Sequence, residues 1–151
     1  MAEFNFYHPI EVRYGDLDPQ GHVNNARFFT YLEQARIAYV IQLGLWDGRS
    51  FFDVGFILAD ANLTFLAPVM FGQLVQVGVR VTRLGNKSLS MEYRIEEAVT
   101  RQVFATGSTV LVTYDYHDGR TIPIPAYWRQ TITAFEGLSD AVQPESMPSE
   151  T

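Results

Sequence analysis

NARFFTYLEQARIAYVIQL, residues 25–43, is the stretch on which the fold turns. Phe28, Phe29, Tyr31, Leu32, Ala35, Tyr39 and Leu43 recur at the i, i+3, i+4, i+7 spacing of a helix. Ile37, Val40 and Ile41 extend the apolar surface nearly all round, interrupted only by Arg27, Thr30, Glu33, Gln34, Arg36 and Gln42. The pattern predicts a helix buried on most sides. Asn24 or Asn25 supplies its N-cap and Gly44 its C-terminal stop. Glu33 and Arg36 stand three apart, so a buried helix needs them paired with each other or with a partner subunit.

Strands flank this helix. Before it, residues 4–14 alternate, with Phe4, Phe6, His8, Ile10, Val12 and Tyr14 on one face. After it comes a connecting segment, residues 45–53, and then three runs of period two. Ile57, Ala59, Ala61, Leu63 and Phe65 alternate with Leu58, Asp60, Asn62 and Thr64; the face shared by Asp60, Asn62 and Thr64 is a candidate pocket lining. Pro68 and Gly72 bound a turn, and Val75, Val77, Val79 and Val81 then alternate with polar neighbours. Leu89, Met91, Tyr93 and Ile95 alternate with Ser90, Glu92, Arg94 and Glu96, which predicts one wet face. Residues 102–116 alternate less clearly, as a central strand would. An Asp118-Gly119 turn, a short return and a terminal helix over 126–136 complete the expected core. The order of strand, buried helix and strand run reads as α+β: one antiparallel sheet wrapped round a central helix, not alternating βαβ. We expect one domain over 1–137, and a mobile tail over 138–151, where Ser, Pro, Glu and Asp leave almost no core material.

Composition removes several classes of function. Seventeen acidic against eleven basic residues, with no basic stripe, speak against nucleic-acid binding. The absence of cysteine removes disulfides, thiolate nucleophiles and Cys-ligated zinc. With His8, His22 and His117 as the three histidines and no HExxH, no metal site and no cofactor are expected. No run approaches the roughly 18–20 apolar residues of a membrane span, and no basic leader opens the chain, so it reads as soluble and cytoplasmic.

The densest polar cluster is Tyr14-Gly15-Asp16-Leu17-Asp18-Pro19-Gln20-Gly21-His22-Val23-Asn24-Asn25, between the first strand and the helix. A helix N-terminus offers free N–H groups and positive dipole character, suited to a developing oxyanion. A carboxylate seven residues earlier, Asp18, is placed to act as nucleophile or as general base for water. Asp16 reads as the structural member of the pair, holding the loop through backbone N–H groups. His22 is open between acid–base work and a plain helix-start histidine. Asn24 reads as a cap, and Asn25 contributes through its backbone.

The stretch YGDLDPQGHVNNARFFTYLEQAR, residues 14–36, resembles the active-site segment of the 4-hydroxybenzoyl-CoA thioesterase family of hot-dog proteins. Weaker echoes lie at Pro68…Gly72 and Gly85-Asn86-Lys87-Ser88. The resemblance implies the hot-dog fold and hydrolysis of an acyl thioester. It implies that Asp18 is the catalytic carboxylate, that the Asn25 N–H is the oxyanion donor, and that Tyr14 flanks the site. Some branches of the family carry His where this chain has Asn25. It also implies that Asn86, Lys87 and Ser88 lie near the phosphates of coenzyme A. The same loop is similar to plant acyl-carrier-protein thioesterases, whose Asp, Asn and His fall on Asp18, Gln20 and His22; Gln20 departs from that pattern. An acyl-CoA or acyl-ACP substrate therefore stays open, and so do nucleophile and base for Asp18. Family members generally form homodimers, some assembled into homotetramers. The rival readings are a dehydratase or hydratase on the same fold, a non-catalytic acyl-thioester binding protein, and a structural subunit. Phe28, Phe29, Phe51, Phe52 and Phe56 are candidates for an acyl pocket.

Overall fold

The computed structural model describes residues 3–138; beyond Leu138, the expected mobile tail lies outside the described residues. In chain order the elements are β1 (Tyr7–Ile10), α1 (Asn25–Gln42), β2 (Phe56–Phe65), β3 (Val75–Leu84), β4 (Ser88–Glu97), β5 (Val103–Asp115), β6 (Arg120–Thr121) and α2 (Ala126–Glu136). Short 3-10 turns lie at Tyr14–Asp16 and Phe51–Asp53. The pairings are all antiparallel, in the order β1-β3-β4-β5-β2, with β6 added to β5. Phe28, Leu32, Ala35 and Tyr39 of α1 share one apolar core with Val77, Val79, Met91, Tyr93 and Leu111 of the sheet. The expected α+β layout, a sheet around a central helix, is the observed one.

Two local features set how tightly the sheet closes on α1. A Cβ on Gly107 of β5 would come within 2.9 Å of the Asn62 carbonyl oxygen and the Leu63 side chain, and within 3.4 Å of Leu32. Glycine there lets α1 and β2 approach β5. At the other side β1 pairs only with Val75–Gly78 of β3. The edge that β1 leaves open is covered by α2: the Val81 N–H donates to Glu136 Oε2 over 3.1 Å, and Arg129 donates to the Gly85 carbonyl over 2.6 Å. The Tyr39 hydroxyl donates to the same Glu136 oxygen over 2.6 Å, which ties α2 to α1.

Several sequence expectations need correction. The first strand is shorter than residues 4–14, because the chain bends at Asn5, whose side chain donates to the Phe135 carbonyl. Phe4 therefore lies on the outer face of the sheet between the guanidinium groups of Arg80 and Arg94, while Phe6 packs on Tyr39. Tyr14 leaves the strand for a 3-10 turn. Helix α1 runs as expected from the Asn24 cap, whose side chain accepts from the Ala26 N–H over 2.9 Å, to Gly44 at φ +75°. It is buried on one side only: Phe29, Ile41, Glu33 and Gln34 are exposed, since the sheet covers a single face. Strand β2 carries a bulge between Leu58 and Asp60, which leaves Ala59 unpaired and exposed and turns Leu58 to the same side as Ala61. The wet face of β4 is partly dry. Glu96 is 0% exposed and accepts from Gln76, Arg94 and Arg101 at 2.6–2.8 Å. Glu33 and Arg36 form no ion pair with each other among the described residues.

Candidate active site

The polar loop between β1 and α1 is held by its own backbone. The Asp16 N–H donates to the Arg13 carbonyl, and the Asn24 N–H donates to the Asp16 carbonyl, each over 2.9 Å. Between them Asp18-Pro19-Gln20-Gly21 forms a tight turn: the Gly21 N–H donates to the Asp18 carbonyl and the Asp18 N–H to the His22 carbonyl, again over 2.9 Å. Gly21 sits at φ +87°, where a side chain would be strained. The Val23 N–H donates to the Val69 carbonyl over 2.8 Å, and His22 bridges to Met70, so the turn joins the segment that follows β2.

Asp16 is the buried anchor of this loop. Its side chain accepts from the Arg13 N–H over 3.0 Å and from the Tyr31 hydroxyl of α1 over 2.8 Å, with Arg13 and Arg27 as charged neighbours at 3.5 and 3.8 Å. Burial pushes the Asp16 carboxyl up, but these donors and the Arg13 charge outweigh it and hold the group below its ordinary range. The tyrosine is the counterpart: burial and the bond to Asp16 raise its hydroxyl well above the usual value. Asp16 thus fills the structural role expected of it, through one backbone N–H and, beyond that expectation, through Tyr31. A tyrosine on the helix face that also carries Phe28 and Leu32 reads in sequence as plain core.

Asp18 is different. One of its oxygens accepts from the Gln20 N–H over 3.0 Å, an Asx turn that fixes the carboxylate. It is half-buried and lines a groove of about 460 Å³ together with Gln20, His22, Asn24, Asn25 and Phe28. The opposite wall is Phe65, Leu66, Ala67 and Pro68. Asn24 takes up the Ala26 N–H with its side chain and the Arg27 N–H with its carbonyl. Among the described residues, none accepts from the Asn25 N–H. The groove therefore joins a positioned carboxylate, an imidazole and the positive end of an 18-residue helix, beside an apolar wall. That combination suits attack on a polarised carbonyl whose oxygen becomes negative.

The structure brings Asp18, His22 and Asn25 together. Tyr14 is 82% exposed and stacks edge-on against Phe71, outside the lining of the groove. Asn86, Lys87 and Ser88 do not line the groove either. Their hairpin is fixed instead to the C-terminal part of the chain, where the Thr113 N–H donates to the Lys87 carbonyl and the Ile124 N–H to the Asn86 carbonyl. Asn86 is exposed, Lys87 half-exposed and Ser88 buried. Of the five candidate phenylalanines only Phe28 lines the groove, edge-on to Phe65 with ring centres 5.2 Å apart. Phe56 packs on Trp128, Phe51 on Trp46 and Phe52 against His117, and Phe29 lines a smaller cavity farther along α1. Sequence reasoning missed the wall 65–68. No sequence signal marks it: the antiparallel course of α1 and β2 returns the end of β2 to the start of the helix. Asn62 and Thr64 line a different groove, on the outer face of the sheet. Among the described residues no three His, Asp or Glu side chains converge as a metal site requires.

A thioesterase from Thermus thermophilus, solved with coenzyme A and zinc, is 38% identical to this chain with a TM-score of 0.80, over 92% of this chain and 100% of that one. The long-chain acyl-CoA thioesterase FadM of Escherichia coli is 25% identical over 132 residues, 82% of this chain and 93% of that protein. The 1,4-dihydroxy-2-naphthoyl-CoA thioesterase of Synechocystis, at 23% identity and a TM-score of 0.73 over 84% of this chain and 94% of that one, shares the fold. The family model of the thioesterase-like superfamily matches residues 12–135, a span that takes in the Asp18 loop, α1 and the sheet up to α2, and the chain belongs to that superfamily, with its hot-dog fold.

Proposed function

We propose that this chain hydrolyses acyl-CoA thioesters in the groove at the start of α1. The observation that carries this reading is the shared groove of Asp18 and the N-terminus of α1. The thioester carbonyl oxygen accepts from the Asn25 N–H, where the helix dipole favours the charge that develops on it. The free oxygen of Asp18 either adds to the carbonyl carbon or takes a proton from an attacking water, and the thiolate of coenzyme A leaves. The first route forms a mixed anhydride; water that opens it at the Asp18 carboxyl carbon leaves its oxygen on Asp18, so label found in Asp18 after single turnover in ¹⁸O-water establishes this route over the second. His22 borders the reacting groups and Tyr14 flanks the entrance. Lys87 and the exposed Asn86, in the turn that ends at buried Ser88, meet the phosphates of coenzyme A.

The reading includes assembly into homodimers as the smallest unit. Strand β2 is the free edge of the sheet, ten residues long, and is flanked by exposed Leu58, Phe65 and Leu66 and by Phe29 of α1. An apolar edge of this length needs a cover, and a second β2 supplies one. A cytoplasmic setting goes with the CoA substrate, and no described helix is long and apolar enough to cross a membrane.

Incubation of the full chain with short, long and aromatic acyl-CoAs, followed by free thiol, tests the activity. Release of thiol from at least one of them is expected, and the best substrate names the acyl group. Tight binding without release would contradict hydrolysis and favour the binding-protein reading. Hydration of an enoyl-CoA without release would favour the hydratase. Release only from acyl-carrier-protein thioesters would move the carrier.

A further inference from the structure

Among the described residues, Arg36 is the deeply buried charge left without a counter-charge. It is 5% exposed, its Nη1 donates to the Tyr93 hydroxyl over 3.2 Å, and its buried Nε has no partner. Among the described residues no carboxylate reaches its guanidinium at ion-pair distance. The other deeply buried charges differ in this respect. Asp16 has Arg13 and Arg27, and Arg94 and Glu96 have each other, with Arg101 added to Glu96. A guanidinium taken out of water with neither counter-charge nor a full set of acceptors is costly, so an opposite charge is expected to meet it.

Arg36 faces a cavity of about 150 Å³ between α1 and β2, lined also by Phe29, Leu32, Glu33, Leu58 and Ala61. The β2 bulge shapes it, since Leu58 and Ala61 face the same side only because Ala59 drops out of the pairing. Glu33 lies on this lining one turn before Arg36, exposed and in no ion pair among the described residues. One unmatched cation and one unmatched carboxylate thus stand side by side next to the free edge of β2. A surface that carries both signs in adjacent places is self-complementary under a twofold axis: the anion of each copy can face the cation of the other.

We propose that Arg36 is neutralised by Glu33 of the partner subunit in a dimer formed along β2, and that the reciprocal pair forms on the other side of the axis. The cavity is then the half-socket of an interface. Tyr93 and Thr109, whose hydroxyl groups are 2.7 Å apart, hold the guanidinium toward it. This inference rests on the dimer proposed above and needs no substrate.

Sedimentation of the full chain tests it. Wild type is expected to be dimeric. Glu33→Arg, a surface change, sets like charges against each other at two places and is expected to raise the dimer Kd by about 100-fold or more, with an unchanged circular dichroism spectrum. Arg36→Glu is expected to dissociate in the same way. An equimolar mixture of the two variants is expected to form a one-to-one heterodimer, because each chain then meets an opposite charge at both positions; pairs within one chain gain nothing from mixing. Should Arg36→Glu fail to fold, Glu33→Gln carries the test, with a rise in Kd of about tenfold or more expected. A wild-type dimer whose Kd is unmoved by Glu33→Arg and Glu33→Gln would overturn the Glu33–Arg36 pair and leave the dimer standing. A wild type that stays monomeric would overturn the dimer with it.

Discussion

The Tyr31 hydroxyl donates to the Asp16 carboxylate over 2.8 Å, and through that bond α1 holds the loop that carries Asp18. Both residues are buried, so water cannot replace the donor when it is removed. Tyr31→Phe is therefore expected to destabilise the fold by about 1.5–3 kcal/mol, the range for a hydrogen bond to a charged group. Urea denaturation checks the loss. The same variant is expected to lower turnover more than it changes KM, since the loop orients Asp18 and does not itself bind the acyl carrier.

Asp16 also dictates a pH dependence. Its folded carboxyl is held below the ordinary range, burial being outweighed by the Arg13 N–H, the Tyr31 hydroxyl and the Arg13 charge. A lowered folded pKa contributes stability that is present above the unfolded value of about 3.9 and is lost as pH falls through the folded one. Denaturation midpoints measured from about pH 5 downward are expected to fall more steeply in wild type than in Asp16→Asn. Parallel curves would mean that Asp16 does not carry this dependence.

The role of Asn25 is carried by its backbone. Replacement of the side chain in Asn25→Ala leaves the N–H in place, and Asn24 remains the cap. We expect kcat/KM to change by less than about tenfold, below the usual loss when an oxyanion donor itself is removed. A drop of about 10²-fold or more with an intact fold would assign the carboxamide side chain to the chemistry.

Much of the fold was legible because local pattern and tertiary burial agree. The spacing in residues 25–43, the Asn24 cap and Gly44 specify α1, and the alternating valines of β3 specify a strand. The candidate groove was legible where chemistry and chain position coincide: Asp18, read as lying before a helix start, lines it together with Asn25. What escaped depends on contacts between distant segments. Glu96 and Arg94 look like solvent-facing residues of β4 until the N-terminal segment and Arg101 fold over them. The Ala59 bulge breaks an alternation that reads as perfect along β2. Phe65 to Pro68 enter the groove only because β2 runs back along α1, which no local pattern encodes.

The most direct test of the central claim is thiol release from the best acyl-CoA substrate by wild type and by Asp18→Asn, with circular dichroism to establish that the variant is folded. The Asx turn can be kept by the Asn carbonyl, so the loop is expected to hold while the carboxylate is lost. We expect kcat/KM to fall by about 10²-fold or more, as for loss of a nucleophile or general base. A folded Asp18→Asn protein that turns over as fast as wild type would contradict the assignment of Asp18 as the catalytic carboxylate.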